Sequence, residues 1–179
     1  PSLAGMGTTL TLAFLQWPTL YVLHVGDSRC YLLRNGLVQV THDHTFAQKF
    51  LDNGTLRPEE ARKSRLAGAL WNALGGGTES LTVDLHKVPL EPGDTLLLCT
   101  DGLTGMLQDE KIEEILTQAP NSAIACSTLV GAANAAGGAD NITAVVARVP
   151  KTDEPRTMGQ VFLADDSPEC VDRGSSVTG

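Results

Sequence analysis

The dipeptide Asn35-Gly36 stands between two short apolar segments, residues 30–33 and 37–40. Asn and Gly tolerate the positive φ angles that a type I′ turn requires, so this pair between apolar segments is a strong hairpin signal. A hairpin of this kind joins two neighbouring antiparallel strands. The early part of the chain is therefore expected to form antiparallel sheet.

Other segments indicate how the rest of the chain folds. Strands are predicted by alternating or continuous apolar residues over residues 8–15, 20–25, 81–88, 95–99 and 141–149. Residues 91–94 form a predicted turn, and a helix is predicted to start at Pro58. Asp109 can cap a helix that reaches Gln118, and Asn121 or Ser122 can cap an Ala-rich helix that ends before Gly137. Strand runs broken by paired helices predict an α+β fold with antiparallel sheets.

Charge and composition exclude several classes of function. The formal net charge is -8, and no basic run could follow a nucleic-acid backbone, so a nucleic-acid partner is not expected. The four cysteines are widely separated and form no Cys-x-x-Cys pair, which argues against a zinc site and a disulfide framework. No apolar run approaches the 18 or so residues that a membrane span requires. These features favour a cytoplasmic chain without a membrane segment.

Three aspartates stand at the ends of buried strands. Asp27 and Asp101 follow apolar runs, and Asp140 precedes the last predicted strand. A carboxylate in such a place is costly unless it is paired, hydrogen-bonded or metal-bound, and few Lys or Arg residues are near in sequence. Oxygen ligands suit Mg²⁺ or Mn²⁺. The alternative is that each aspartate caps a turn through its own backbone.

Five short motifs occur in an informative order. They are GMGTTL at residues 5–10, VGDSR at 25–29, DHT at 43–45, LLCTDGL at 97–103 and GADNITAVV at 138–146. Their order, spacing and wording resemble those of the metal-dependent protein phosphatases, the PPM or type 2C class. The resemblance extends over about residues 5–149. One motif alone would be weak, whereas five in sequence are specific.

The resemblance implies a sandwich of two antiparallel β-sheets flanked by helices, the αββα arrangement. Asp101 and Asp140 match the family's C-terminal metal ligands, and Asp27 matches an aspartate that helps to hold a third, weaker ion. Residues 43–76, which we call the flap segment, match the mobile flap beside the active site, and its DHT motif supplies Asp43, His44 and Thr45 as candidate substrate or flap residues. The expected substrates are phosphorylated proteins, and a serine/threonine kinase is an expected partner.

The family's reaction is hydrolysis of phosphoserine or phosphothreonine without a covalent phosphoenzyme. Two or three Mn²⁺ or Mg²⁺ ions are expected in the complete domain, where two of them activate a bridging water and neutralise the phosphoryl group. The sequence lacks the family's N-terminal phosphate-binding arginine, its Asn-Glu-Asp stretch and its Asp-Gly-Met-Gly-Gly-His string. We therefore expect a fold that is incomplete at its N-terminus, with residues 1–149 as the C-terminal portion of a catalytic domain and residues 150–179 as a polar linker or tail. Such a fragment should bind metal weakly and be inactive alone.

Several alternatives remain open at this level. The chain could be a non-catalytic, phosphatase-like binding module, or a metal-dependent hydrolase of small phosphate esters. His42 and His44 could bind a metal, although a local hydrogen-bonding role for His44 is favoured. Arg29 could contact phosphate, although an ion pair with a neighbouring carboxylate is favoured. Cys99 is expected to be a small buried residue rather than a redox sensor.

Overall fold

The computed structural model describes residues 5–75, 80–151 and 163–164. Its strands are β1 Gly7–Thr8, β2 Leu10–Gln16, β3 Thr19–Val25, β4 Arg29–Leu33, β5 Leu37–Gln39, β6 Leu74–Gly75, β7 Asp84–Pro89, β8 Thr95–Cys99, β9 Ala144–Arg148 and β10 Leu163–Ala164. Its helices are α1 Phe46–Asp52, α2 Pro58–Lys63, α3 Asp101–Thr104, α4 Asp109–Gln118 and α5 Ser122–Ala135. None of the helices in these described ranges is long and apolar enough to cross a membrane.

The strands form two main antiparallel sheets and one short pair. The five-stranded sheet has the order β10-β9-β8-β4-β5, and the three-stranded sheet has the order β2-β3-β7. Strands β1 and β6 pair separately, with Gly7 opposite Gly75. Every pairing among the described strands is antiparallel, as the order of predicted strands and helices indicated.

An apolar layer separates the two main sheets. Leu20 and Val22 on β3 pack with Cys30 on β4 and Leu96 on β8, and all four are buried. Side chains alternate along β3, so that Leu20, Val22 and His24 are buried while the residues between them are half-buried. Burial of this aliphatic layer is the main contribution that holds the sheets face to face.

Two helices cover the other face of the five-stranded sheet. Ile112 and Leu116 of α4 and Leu129 of α5 pack against Leu97 of β8 and Val146 of β9 in one continuous core. The spacing of Ile112, Ile115 and Leu116 places them on one face of α4, as their helical periodicity predicted. The α+β sandwich of antiparallel sheets flanked by helices is confirmed.

Some local predictions were correct and others were wrong. The strand over Thr95–Cys99 has its predicted bounds, and the α5 helix is capped by Asn121, whose side chain accepts the N–H of Ile124 at 2.9 Å. The predicted Asp109 cap was wrong, because Gln108 is the residue at the cap position and Asp109 is the first residue of α4. The segment predicted as a strand from residue 81 becomes a strand only at Asp84.

The predicted type I′ turn was also wrong, although the hairpin itself forms. Leu33 pairs with Leu37, so three residues rather than two connect β4 to β5. Gly36 has a φ of 139°, but among the described residues only glycines have positive φ, so Asn35 does not adopt the angle that a type I′ turn requires.

The flap segment is described as far as Gly75. It contains α1, α2 and β6, and it leaves the five-stranded sheet after β5. Thr45 caps α1 by accepting the N–H of Gln48 at 3.1 Å, and Pro58 is the first residue of α2, as predicted. Of the predicted tail, residues 152–162 and 165–179 lie outside the described residues, whereas Leu163 and Ala164 pair with β9.

Candidate functional site

A cleft of about 540 Å³ lies at one end of the sandwich, between the strand ends and the flap segment. The sheet side supplies Asp27 and Asp101, which follow β3 and β8. The flap side supplies Glu59, Ala67 and Gly68. Strands β3 and β8 belong to different sheets. The cleft therefore brings together Asp27 from one sheet and Asp101 from the other, which are 74 positions apart in the chain.

Asp27 is a buried carboxylic acid with a strongly perturbed pKa. Burial is the main cause that raises its pKa from 3.8 to about 6, and the negative charges of Asp101 and Asp43 raise it further. The folded chain therefore holds Asp27 in a place where its ionised form is unfavourable. A nearby cation would reverse that preference.

Asp101 begins the short α3 helix directly after β8. Desolvation by its surroundings raises its pKa, and the charge of Asp140 acts in the same direction. The backbone N–H of Gly102 opposes this effect by hydrogen bonding to the carboxylate. Asp101 thus interacts electrostatically with both of the other predicted ligands, Asp27 and Asp140.

Two backbone segments place Asp101 and Asp140 near each other. The N–H of Thr100 donates to the carbonyl of Thr143 at 3.1 Å, and the Thr100 hydroxyl donates to the carbonyl of Asn141 at 3.2 Å. Gly102 lies directly against Asn141, where a Cβ atom would meet the carbonyl group. These contacts run the 100–102 and 141–143 segments side by side, with Asp101 inside the first segment and Asp140 directly before the second.

Asp140 also makes the turn-capping bond that was considered as an alternative. Its Oδ1 accepts the N–H of Asn141 at 2.7 Å. This bond uses one of the two carboxylate oxygens, and the side chain is exposed. The local bond therefore orients the carboxylate without burying it.

Arg29 forms a hydrogen-bonded network across the floor of the cleft. Its Nε and Nη2 donate to both oxygens of Asp43 at 2.7 to 3.0 Å, and its Nη1 donates to the Tyr31 hydroxyl at 2.8 Å. The Tyr31 hydroxyl in turn donates to Asp109 at 3.2 Å, and Gln39 donates to Asp43. The favoured prediction that Arg29 pairs with a carboxylate is confirmed, and that carboxylate is Asp43.

The DHT residues lie at the base of the flap segment. Asp43 lines the cleft while its carboxylate is bound by Arg29, and Thr45 caps α1. His44 is fully buried and its ring is hydrogen-bonded, as predicted, but its partners Gly26 and Asp84 are distant in sequence rather than local. His42 instead lies at the surface, with its Nε2 2.7 Å from Asp52.

The chemistry of these donors fits a hard divalent cation only in part. The three predicted ligands are carboxylates, and the pKa values of Asp27 and Asp101 are raised mainly by desolvation and further by neighbouring negative charges, both of which a cation would offset. Within residues 5–75 and 80–151, however, no group of three or more His, Cys, Asp or Glu side chains is arranged to hold one ion. The described residues therefore offer carboxylates of suitable chemistry, and they do not form a three-donor site among themselves.

Several cleft residues were not predicted as part of the site. Glu59 is contributed by the flap segment, and Tyr31 and Asp109 join the network beneath it. Asp109 carried a signal, because it was recognised as a polar residue at a helix start. No local pattern indicated Tyr31 or Glu59.

Two family models match the chain. The model for stage II sporulation protein E (SpoIIE) matches residues 55–150, and the model for protein phosphatase 2C matches residues 3–49. The serine/threonine protein phosphatase PstP of Mycobacterium tuberculosis is 42% identical over 171 residues, which are 93% of this chain and 33% of the relative. The serine/threonine phosphatase stp of Listeria monocytogenes is 38% identical, over 86% of this chain and 61% of the relative.

Solved structures show the same similarity. The M. tuberculosis PstP/Ppp crystal structure superimposes with a TM-score of 0.79 at 42% identity, covering 84% of this chain and 63% of that chain. A PstP catalytic domain in complex with two manganese ions has a TM-score of 0.72 at 40% identity, covering 81% and 60%. The chain thus spans between one third and about three fifths of the length of these relatives.

Proposed function

Because this chain belongs to the PPM or type 2C family of metal-dependent protein phosphatases, we propose that it contributes the acidic strand ends of a phosphatase active site. The activity proposed for the whole protein is hydrolysis of phosphoserine and phosphothreonine esters in proteins. The observation that carries the proposal is that Asp27 and Asp101 line one cleft at the end of the sandwich, where the segment that contains Asp101 runs beside the segment that follows Asp140.

Asp101, Asp140 and Asp27 would hold Mn²⁺ or Mg²⁺ in this site. When bound, such ions supply an activated water and neutralise the charge of the phosphoryl group. The chain's own contribution is to orient these ligands, since Asp101 is fixed at the start of α3 and Asp140 is oriented by the N–H of Asn141. Arg29 pairs with Asp43, and its positive charge opposes the effect of the Asp43 charge on Asp27.

We propose that ligands from outside the described residues complete the cage. The lack of a three-donor group within the described residues and the partial coverage of every reported relative support this proposal. In this arrangement residues 1–149 are the C-terminal portion of the catalytic domain, residues 43–76 are its flap, and residues 150–179 are a linker or tail. The chain alone would then bind metal weakly and turn over little substrate.

The cellular setting follows from the proposed reaction. The substrates would be phosphorylated proteins, and a serine/threonine kinase that phosphorylates the same proteins would be the opposing partner. We place the reaction in the cytoplasm, where phosphoproteins of this kind are made. The buried thiols of Cys30 and Cys99, which form no disulfide, suit a reducing compartment.

The first experiment measures Mn²⁺ binding to the 179-residue chain by electron paramagnetic resonance. Asp101→Asn and Asp140→Asn should each weaken binding about tenfold, because each removes one charged ligand. Asp52→Asn is the matched control, since Asp52 lies at the surface beside His42 and away from the cleft. Equal Mn²⁺ affinities for all three variants would exclude the proposed site.

The second experiment separates the proposed activity from its alternatives. Hydrolysis of a phosphothreonine peptide and of p-nitrophenyl phosphate is measured with Mn²⁺, both for this chain and for the complete product of its open reading frame. Faster hydrolysis of the peptide by the complete product supports a protein phosphatase. A preference for the small ester would indicate a hydrolase of small phosphate esters, and Mn²⁺ binding without turnover would indicate a regulatory module.

A further inference from the structure

His44 contacts the residue that precedes Asp27 through both its backbone and its ring. Its backbone N–H donates to the Gly26 carbonyl at 2.7 Å, and the Gly26 N–H donates to the His44 Nδ1 at 3.2 Å. Gly26 therefore has both of its polar backbone groups bound to one histidine. The turn that carries Asp27 is consequently attached to the start of the flap segment.

The partners of the His44 ring define its tautomer. Nδ1 accepts from the Gly26 N–H and lies 2.6 Å from the amide nitrogen of Asn72, so Nδ1 carries no proton. The proton is on Nε2, which lies 3.1 Å from the carboxylate of Asp84. Each ring nitrogen thus has a distinct role, with Nδ1 as an acceptor and Nε2 as a donor.

The same residue closes the far end of the flap segment. The N–H of Trp71 donates to the His44 carbonyl at 3.0 Å, and Thr45 forms a β-bridge with Leu70. Asn72, which contacts Nδ1, also donates its amide to the Thr82 carbonyl at 2.7 Å and accepts the Thr82 N–H at 3.2 Å. The two ends of the flap segment are therefore held together at His44.

The surroundings of His44 make this junction rigid. His44 and Asn72 are both buried, and the His44 ring packs against the rings of His24 and Trp71 at centroid distances of 4.9 and 4.8 Å. A buried polar network with satisfied partners favours one geometry, because any displacement leaves a buried group without its hydrogen bond.

We propose that His44 is a positioning residue that couples the flap segment to the Asp27 turn. The position of the flap beside the cleft and the position of the Asp27 carboxylate are then set by one side chain. This inference rests on the proposed function for its catalytic meaning. The coupling itself is a property of the metal-free chain and is measured without substrate.

Amide hydrogen exchange, measured residue by residue, tests the coupling between the flap segment and the Asp27 turn. His44→Asn keeps an acceptor near the Nδ1 position, whereas His44→Gln keeps a donor near Nε2 and removes that acceptor. In the metal-free chain, His44→Gln should accelerate amide exchange about tenfold both in residues 46–70 and in residues 26–28, since loss of a buried hydrogen bond is worth about this factor. His44→Asn should restore slow exchange in residues 26–28.

A measurement of Mn²⁺ affinity and a control variant complete the test. Mn²⁺ affinity, measured by electron paramagnetic resonance, should fall with His44→Gln and recover with His44→Asn. His42→Gln is the matched control at the surface and should change neither quantity. If His44→Gln fails to fold, Asn72→Ser replaces it, because it removes one Nδ1 donor and should produce the same pattern with smaller amplitude.

The inference is overturned if exchange rises only within the flap segment while residues 26–28 and Mn²⁺ affinity stay unchanged. Indistinguishable behaviour of His44→Asn and His44→Gln would also overturn it, since the acceptor at Nδ1 would then have no specific role. Failure of the proposed function gives a different result. Slow and coupled exchange would persist in a chain that neither binds Mn²⁺ nor belongs to an active phosphatase.

Discussion

The backbone carbonyl of Asn141 occupies the space that a side chain at residue 102 would need. Gly102 follows Asp101, and Asn141 follows Asp140, so this close approach sets how near the two aspartates come. The bonds between Thr100 and the 141–143 segment hold the approach in place. The glycine of the TDGL motif is therefore a packing requirement of the candidate site.

Replacement of Gly102 by alanine should separate the two segments. The new Cβ would meet the Asn141 carbonyl oxygen, and the carbonyl carbon lies only 2.9 Å away, so the backbone must shift. We expect a loss of about 1–3 kcal/mol in unfolding free energy, together with weaker Mn²⁺ binding. Urea denaturation and electron paramagnetic resonance measure the two effects.

Gly131→Ala is the matched control for this prediction. Gly131 lies within α5 with open space around its Cβ position, so alanine should stabilise the chain by about 0.5–1 kcal/mol. Mn²⁺ binding should not change. A Gly102→Ala variant that is as stable and binds Mn²⁺ as well as Gly131→Ala would show that the approach of the two segments is unimportant.

Asp27 should destabilise the metal-free chain at neutral pH. Its folded pKa of about 6 lies above its ordinary value of 3.8, so its contribution favours folding below pH 4 and is lost as the pH rises through 6. This difference corresponds to roughly 3 kcal/mol as an upper bound. Asp27→Asn should therefore be more stable than the unmodified chain at pH 7.5 and nearly equal to it at pH 4.

Thermal or urea unfolding across this pH range checks the sign. Saturating Mn²⁺ should reduce the advantage of Asp27→Asn at pH 7.5, because the cation stabilises the ionised carboxylate of the unmodified chain. An advantage that is the same at pH 4 and pH 7.5 would mean that the effect does not arise from the ionisation of Asp27.

The elements that local pattern predicts well are those bounded by turn residues and filled by apolar side chains. The Thr95–Cys99 strand is an example, because the turn at Glu91–Asp94 precedes it and Asp101 follows it. The order of the strands within each sheet, in contrast, is not predicted by local pattern. Strand β4 lies between β5 and β8, and β3 lies between β2 and β7. The β4–β8 and β3–β7 pairings join residues that are far apart in sequence.

The hairpin at Asn35 shows why a correct local signal gave the wrong turn. Arg34 donates to Asp94, to Glu91 and to the Pro89 carbonyl, all more than 50 residues away. These bonds fix Arg34, the first residue of the three-residue connection, through contacts that no local pattern contains. Local pattern is limited in the same way at the candidate site. It predicted the three aspartates and a carboxylate partner for Arg29, but the identity of that partner, Asp43, depends on tertiary structure.

The Arg34–Asp94 pair should be one of the stronger polar contributions to stability. The Asp94 side chain is almost fully buried, and hydrogen bonds from Arg34 keep the pKa of Asp94 below its ordinary value. Asp94→Asn should cost about 2–3 kcal/mol at pH 7, since it leaves the guanidinium with a weaker partner. Urea midpoints at pH 7 and pH 3 measure the effect.

The contribution of Asp94 to the free energy of unfolding changes with pH in the opposite direction to that of Asp27. A lowered pKa means that the Asp94 contribution is present above pH 4 and is lost as the pH falls below it. The gap between Asp94→Asn and the unmodified chain should therefore narrow at pH 3. Glu114→Gln is the control, because its exposed pair with Lys111 should contribute less than about 1 kcal/mol. Equal costs for the two variants would contradict the prediction.

The outer face of the three-stranded sheet should make the chain self-associate. Phe14 on β2 is 56% exposed and Leu85 on β7 is 65% exposed, and Leu10 and Leu12 add to the same apolar face. Strand β2 is also the edge of its sheet, and its unpaired backbone groups favour pairing with another chain. Sedimentation velocity should show a weight-average sedimentation coefficient that rises with concentration.

Charged substitutions distinguish self-association through this face from nonspecific association. Phe14→Lys and Leu85→Lys should each reduce the concentration dependence, because a charge cannot be buried in an apolar contact without a large cost. Val38→Lys is the matched control, since Val38 is 61% exposed on β5, at the edge of the other sheet. If Val38→Lys suppresses association as strongly as Phe14→Lys, the association does not depend on the outer face of the β2-β3-β7 sheet.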